Sequence, residues 1–486
     1  MEDNVRVAVA YGDGIGPEIV EATLKILRYA QAKVNFEVID VGKIMYERGY
    51  SSGIPEEAWK AILDNKILLK GPITTPQGGG YKSLNVTLRK ALGLFANIRP
   101  CKAYHPIIKT HHKHLDVVIV RENEEDLYAG IEYRQTHNSY TSIKLITRTG
   151  SEKIIRYAFE YAVKNNRKKV SCFSKDNIMK FTDGLFHQVF NEIAAEYPQI
   201  QNDHYIIDIG AARLANKPEI FDVIVTENLY GDIISDIVAE TSGSVGLAGS
   251  ANIGKEFAMF EAIHGSAPDI AGQNIANPSG LIQAAIMMLV HLEQGEIAAK
   301  IHNAWLKTLE EGIHTVDIYN EKISKKKVGT KEFADELIKR LGEVPSSFAK
   351  IEYKSNVEST NSKIVEVIKN NESRALVGAD ISIFWDGKEL DEFAGKFANL
   401  VLKTNLGLKS VTCKGLQVWP NPAGNLKLVS DLWTLRLISS NKDKTCDQIE
   451  IIEILNILKA NNIEFVKIEN LYVYGEKLGF SLAQGE

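Results

Sequence analysis

No stretch of this 486-residue chain approaches the about 18 uninterrupted apolar residues that a membrane-crossing helix requires, so no membrane span and no membrane partner is expected. Cysteine is scarce as well. Cys101, Cys172, Cys413 and Cys446 stand far apart and form no CxxC pair, which disfavours thiolate metal centres and redox couples. Charge of one sign is also lacking, because a formal net charge of -5 leaves no general basic surface for nucleic acid while still permitting a local basic pocket. Small molecules are the expected partners. The strand-like run VRVAVA begins almost at once, so no signal or transit peptide is expected, and a reducing cytoplasm is the expected location.

What the chain does have is enough apolar material, 44% hydrophobic residues, for full cores in about three domains on a prior of roughly 150 residues each. VRVAVAYGDGIGPEIVEATLKILRYA reads as a buried strand, a glycine turn and an amphipathic helix, and further strands are predicted at Leu115 to Val120, Lys169 to Cys172 and Val223 to Thr226. The alternation implies an α/β sheet. Gly12, Gly14 and Gly16 imitate a dinucleotide fingerprint, but Pro17 occupies the place of the third glycine of GxGxxG, so a Rossmann assignment is declined.

The richest segment is GPITTPQGGGYKSLNVTLRKALGLFANIR, residues 71–99, in which hydroxyl and amide side chains stand beside two arginines around Gly78, Gly79 and Gly80. An opening helical turn would project Ser83, Asn85 and Arg89 together, and the guanidinium groups of Arg89 and Arg99 suit bidentate capture of carboxylates. This is equipment for a small polyanion. Asp232 and Asp236 in NLYGDIISD share a helix face at i, i+4, a spacing of hard oxygens that suits Mg²⁺ or Mn²⁺, although paired surface acids are common without metal. In THHKH, His111, His112 and His114 are crowded together rather than spaced for chelation, so a solvated turn is expected.

The segment from 71 to 99 resembles the substrate loop of the β-decarboxylating 2-hydroxyacid dehydrogenases, in the form KSLNVTLRK carried by isocitrate-acting members. The resemblance continues through RENEEDLYAGIEY, KDNIMKFTDGLF, NLYGDIISD and HGSAPDIAGQNIANPSG, and covers roughly residues 5 to 340. It implies the isocitrate/isopropylmalate dehydrogenase fold: a large domain from 1–100 and 235–341, and a small domain, 101–234, whose clasp binds a second subunit. It further implies oxidative decarboxylation of isocitrate to 2-oxoglutarate in the citric acid cycle. Homoisocitrate or another substituted malate is the alternative substrate, and a non-catalytic sensor is the alternative of a different class.

On that resemblance Tyr128 and Lys175 are the catalytic pair, Tyr128 protonating C3 and Lys175, reaching across from the other subunit, handling the hydroxyl proton. Thr75, Ser83, Asn85, Arg89, Arg99 and Arg121 hold substrate, Ser83 and Asn85 taking the γ-carboxylate. Asp232, Asp236 and a neighbouring subunit's Asp208 hold Mg²⁺ or Mn²⁺, which makes a homodimer with shared active sites. Thr74, Asn177, His264, Gly265, Asp269, Ile270 and Asn277 match the cofactor-binding positions. Where NADP-using relatives carry lysine then tyrosine, this chain has Asp269 and Ile270; a carboxylate welcomes a free ribose 2′-hydroxyl and repels a phosphate, so NAD⁺ is expected, with NADP⁺ as the alternative.

The resemblance to the dehydrogenase core leaves the last 140 or so residues uncovered. Residues 342–363 are polar and aperiodic, a linker pattern. Residues 364–486 then read as βαββαβ, a ferredoxin-like α+β unit, with strands near Ala375–Trp385, Lys409–Val418, Lys427–Ile438 and Glu464–Tyr474. Association, including a tetramer built through this domain, is favoured over effector binding.

Overall fold

The computed structural model describes residues 4–75, 82–353, 372–386, 388–420, 430–440 and 444–485. Gly78, Gly79 and Gly80, and residues 354–363 of the expected linker, lie outside these residues. The chain divides into two compact units, one of residues 1–129 with 145–366 and the other of 130–144 with 367–486.

The first unit is organised by a mixed sheet of ten strands. In spatial order they are Val34–Ile39, Val5–Ala10, Ile67–Lys70, Ala258–Ala262, Gly249–Ile253, Ala96–Lys102, Asp116–Glu122, Val223–Thr226, Lys169–Ser174 and Gln201–Ile206. All neighbours run parallel except around Gly249–Ile253, which is antiparallel to both neighbours, and between Ala96–Lys102 and Asp116–Glu122. The inner parallel strands Ile67–Lys70, Ala258–Ala262 and Val223–Thr226 are buried throughout, as covered parallel strands must be, while the edge strands are partly exposed. Helix Gly16–Tyr29 begins where Pro17 costs no hydrogen bond, carries Glu18 in its first turn and Arg28 in its last, and buries Ile19, Val20, Leu24 and Leu27.

The turn before that helix is not a phosphate fingerprint. Gly12 and Gly14 have positive φ (73° and 58°), and a Cβ at Gly14 would lie 2.0 Å from the carbonyl oxygen of Ser266. Glycine is needed there because the HGSAP loop presses against it. Two apolar clusters meet behind the central strands. One joins Ile19, Leu24, Phe260, Leu281 and Trp305; the other joins Ile98, Val118, Phe159, Val170 and Phe190.

The second unit is a six-stranded antiparallel sheet carrying two helices, Leu390–Val401 and Gln448–Ala460. Its four main strands, Arg374–Phe384, Leu406–Cys413, Leu432–Ser439 and Glu464–Tyr474, follow the expected βαββαβ order, with the first and third at the centre. The expected strand from Lys409 to Val418 is broken in two. Lys414 and Gly415 both take positive φ (51° and 75°), and the chain doubles back into Leu416–Trp419. The second helix is held by a reciprocal capping box between Asp447 and Glu450.

Residues 130–144 join this unit as a two-stranded hairpin, Glu132–Arg134 paired with Tyr140–Ser142. The Ser139 hydroxyl donates to Asp431 Oδ1 at 2.7 Å, the Asn138 amide and side chain donate to Oδ2 at 3.2 Å, and the His137 ring meets Phe384 edge-on.

Candidate active site

Strands Ala96–Lys102 and Asp116–Glu122 pair with Asn97 opposite Arg121, so alternation turns Asn97, Arg99 and Arg121 toward the same surroundings. Helix Asn228–Thr241 then presents Asp232, Ser235 and Asp236 to these guanidinium groups. Gly231 makes the approach possible, since a Cβ there would lie 2.6 Å from Arg121 Cγ.

Arg121 donates Nε and Nη2 to Asn228 Oδ1 at 3.1 and 2.8 Å and Nη1 to Asp232 Oδ1, while the Tyr128 hydroxyl donates to Asp232 Oδ2 at 2.6 Å. The Arg121 guanidinium also lies 4.9 Å from the centre of the Tyr128 ring. Arg99 is fixed by Asn97 and Ser235, each at 2.7 Å, and faces Asp232 and Asp236 at 3.4 and 3.5 Å. Burial lowers Arg121 to about 10, helped by Arg99 and Arg89. Burial alone would raise the Asp232 carboxyl, yet Arg121, Arg99 and the Tyr128 hydroxyl together hold it below the ordinary range. Asp236 goes the other way: burial pushes it up, Arg99 opposes, and Asp232 adds to the rise.

Arg89 sits on helix Leu84–Ala91, with Ser83 at the helix start accepting from the Thr75 hydroxyl at 3.2 Å. Only part of Arg89 is free for a ligand. Its Nη2 is bound to Glu261 at 3.0 Å, and the other oxygen of Glu261 takes the fully buried Lys70 at 2.7 Å. Asn252 donates to Glu261 at 2.9 Å and accepts from Asn97, which closes the chain back to Arg99. Burial opposes ionisation of Glu261, but the two cations win and its carboxyl is well below the usual range. Arg89 Nε and Asn85 Oδ1 are buried with no hydrogen-bond partner among the described residues. Such orphans suit an absent polar ligand.

Lys175 and Asp208 form a second group. Their side chains meet at 2.8 Å, Asp208 in the first turn of helix Ile207–Asn216 and Lys175 after strand Lys169–Ser174. The hydrogen bond from Lys175 lowers the Asp208 carboxyl. No hydrogen bond or ion pair joins Lys175 or Asp208 to Arg99, Tyr128, Asp232 or Asp236 among the described residues. Asn177 follows, exposed, on the same turn.

Of the cofactor candidates, Thr74 meets Ser266 of the HGSAP loop, the two hydroxyls lying 2.7 Å apart, and the Thr74 amide donates to Asp13 at 2.9 Å. His264 Nδ1 lies 3.0 Å from the Gly265 carbonyl while its Nε2 is buried without a partner among the described residues, and burial lowers its pKa. Asp269 is exposed on the turn Pro268–Ile270, and no described residue engages its carboxylate. Asn277 is already spent within the protein, donating to Asp317 at 2.9 Å and accepting from the Ser279 amide.

Asn97, Asn228, Ser235, Asn252 and Glu261 were not foreseen as supports of these arginines. Asn228 lies inside the NLYGD motif, so its proximity to Asp232 on the helix was visible; Asn252 and Glu261 arrive from distant strands and carried no local signal.

This combination of a mixed sheet, three convergent guanidiniums and a carboxylate pair defines a dehydrogenase core for anionic substrates. Residues 6–337 match the family model for isocitrate/isopropylmalate dehydrogenase, and residues 374–486 match that for the C-terminal domain of bacterial isocitrate dehydrogenase. The chain is 61% identical to "Isocitrate dehydrogenase [NADP]" of Rickettsia felis over all of both chains. It is 41% identical to "Isocitrate dehydrogenase [NADP]" of Thermus thermophilus, over 100% of this chain and 97% of that relative. Its fold matches the crystal structure of the TT0538 protein of Thermus thermophilus with a TM-score of 0.92 at 39% identity, over 100% of this chain and 97% of that one. The chain belongs to the isocitrate/isopropylmalate dehydrogenase family.

Proposed function

We propose that the protein oxidises isocitrate to 2-oxoglutarate and CO₂ with reduction of a nicotinamide dinucleotide. The observation that carries this is the convergence of Arg99 and Arg121 on Asp232 and Tyr128, with Arg89 Nε and Asn85 Oδ1 left as buried orphans nearby in sequence from Ser83. Three guanidiniums match three carboxylates, and Ser83 with Asn85 gives the γ-carboxylate polar partners that an alkyl substituent would not need. The small domain of 101–234, its clasp, and a homodimer with shared sites belong to this reading.

The carboxylates fit a hard divalent cation. Asp232 and Asp236 present oxygens on one helix face, and the Asp236 side chain is 66% exposed, which leaves its carboxylate open to an ion. Asp232 and Asp236 of one protomer would hold Mg²⁺ or Mn²⁺ together with Asp208 of a second. When bound, the ion supplies a Lewis acid that polarises the C2 oxygen and stabilises negative charge developing there.

The remaining work falls to side chains. Arg89, Arg99 and Arg121 bind and orient the carboxylates in a half-buried site where charge is poorly screened. Lys175 takes the C2 hydroxyl proton, and Tyr128, kept protonated by burial and by Asp232, gives a proton to C3 after CO₂ leaves. Each of these groups donates to a proposed metal ligand, Tyr128 to Asp232 and Lys175 to Asp208.

The cofactor of this reading is NAD⁺. Both compared dehydrogenases carry NADP in their names; NAD⁺ is read here from Asp269, an exposed carboxylate at the position that the family resemblance aligns with the 2′-phosphate contact. Coulomb repulsion from Asp269, where NADP-using relatives carry a lysine, and the lack of a tyrosine hydroxyl at Ile270 favour the free 2′-hydroxyl. Purified enzyme with Mn²⁺ and a panel of 2-hydroxyacids tests the substrate, and the kcat/KM ratio for the two dinucleotides tests the cofactor. Preference for homoisocitrate, or for NADP⁺, contradicts the respective part. Asp269→Lys with Ile270→Tyr is expected to shift the ratio toward NADP⁺.

A further inference from the structure

Behind the substrate arginines lies a cavity of about 370 Å³ that none of the proposed chemistry uses. Strand alternation places it there. Ala96–Lys102 sends Arg99 one way and Ile98 and Pro100 the other; Ala258–Ala262 sends Glu261 to Arg89 while Phe260 lines the cavity; Gly249–Ile253 does the same with Asn252 against Ala251 and Ile253. Cavity and substrate arginines therefore occupy opposite faces of the same three strands.

The lining is aromatic and rich in donors. Tyr104, Tyr157 and Tyr161 line the space, their hydroxyls make no hydrogen bond with any described residue, and burial raises all three phenols, Tyr161 to about 12, so each keeps its proton. Gln283 Nε2, also lining it, is buried with no partner among the described residues. Also in the lining, His302 Nδ1 meets the Tyr353 hydroxyl at 2.7 Å, and burial lowers this imidazole to about 4, leaving it uncharged. Phe260, Met287 and Val290 supply apolar surface.

Charge enters at the mouth. Arg167 is occupied by Asp116 and Asp222 at 2.6 and 2.9 Å, and Lys102 lies 3.7 Å from Asp116. Lys164 is the lining lysine or arginine that no acid among the described residues pairs, and desolvation lowers its pKa. Glu160, one helical turn earlier, is weakened as a competitor because burial raises its carboxyl while Arg156 only partly offsets this. An apolar slot lined by aromatic rings and donors, with one unmatched ammonium at its rim, has a defined complement.

We propose that this cavity is a second ligand site, built for a flat aromatic carboxylate, and that its occupant alters isocitrate binding through the strands the two faces share. The carboxylate meets Lys164, and the ring system lies among the tyrosines.

The test uses the full-length enzyme with Mn²⁺ and three probes of one shape: 2-naphthoate, 2-naphthamide and 2-naphthylmethylamine. Calorimetry is expected to show one 2-naphthoate per chain that saturating isocitrate does not displace, its affinity changing by about the same factor as that of isocitrate, with the amide weaker and the amine weakest. Lys164→Glu at the exposed rim, and Met287→Trp, which fills the slot, each weaken 2-naphthoate by about tenfold or more. Saturating 2-naphthoate shifts the isocitrate KM by about twofold or more. Absence of saturable binding, binding indifferent to both variants, displacement by isocitrate, or an unchanged KM overturns the proposal.

Discussion

The Tyr128 hydroxyl donates to Asp232 Oδ2 at 2.6 Å while Arg121 holds the other oxygen, so one carboxylate ties the proposed proton donor to a proposed substrate cation. Tyr128→Phe removes the proton and keeps the ring beneath Arg121. The expected result is a fall of about 10²- to 10⁴-fold in kcat, the usual worth of a positioned general acid, with isocitrate KM little changed. A KM effect without a kcat effect would assign Tyr128 to binding instead.

Glu261 carries two buried cations, Lys70 and Arg89. Replacing it by Gln leaves Lys70 charged in the interior without a counter-ion, which costs about 3–5 kcal/mol, read as a lower urea midpoint. Because the folded-state pKa of Glu261 is depressed, its contribution is present above the ordinary carboxylate range and is lost only as pH falls through the folded value. Wild type and Glu261→Gln should therefore converge in stability toward strong acid.

Glu122 has the opposite sign. Burial raises it to about 7 even though the amides of Glu124 and Glu125 donate to it. A raised carboxyl contributes stability that is full below the unfolded value near 4.5 and is lost as pH climbs through about 7, on the order of 3 kcal/mol in all. Glu122→Gln keeps an acceptor oxygen and carries no charge, so its urea midpoint should exceed that of wild type at pH 8 by more than it does at pH 5.

Asp431 anchors the hairpin of residues 132–142 through Ser139 and Asn138. Asp431→Ala is expected to speed backbone hydrogen exchange across residues 130–144 without changing exchange in helix Gln448–Ala460. Truncation after residue 343 removes Asp431 and Phe384 together. The expected outcome is altered assembly by light scattering with kcat retained; unaltered assembly with lost response to an effector would reverse the assignment of this domain to association.

Much of the fold was legible because its signals are local. Pro17 in place of a glycine excluded the phosphate fingerprint, and the alternation of strands and helices after residue 374 gave the βαββαβ order. The break at Lys414 and Gly415 was missed because the apolar positions Val411, Cys413 and Val418 on either side of it were read as one strand, although Gly415 is a turn residue. Within the site, Arg89, Arg99, Arg121, Asp232 and Asp236 stood in motifs. The restraint on Arg89 did not: Glu261 and Lys70 lie 172 and 19 positions away from it in sequence, and only the sheet brings them together. The cavity on the reverse face was equally hidden, since its lining comes from side chains that read as ordinary core.

The most direct measurement is steady-state turnover of Asp232→Asn with isocitrate, Mn²⁺ and NAD⁺. Asparagine preserves shape and can still meet Tyr128, but it removes the charge that balances Arg99 and Arg121 and the oxygen proposed for the divalent ion. The account predicts a loss of about 10³-fold or more in kcat/KM. Turnover equal to that of the parent enzyme would contradict it.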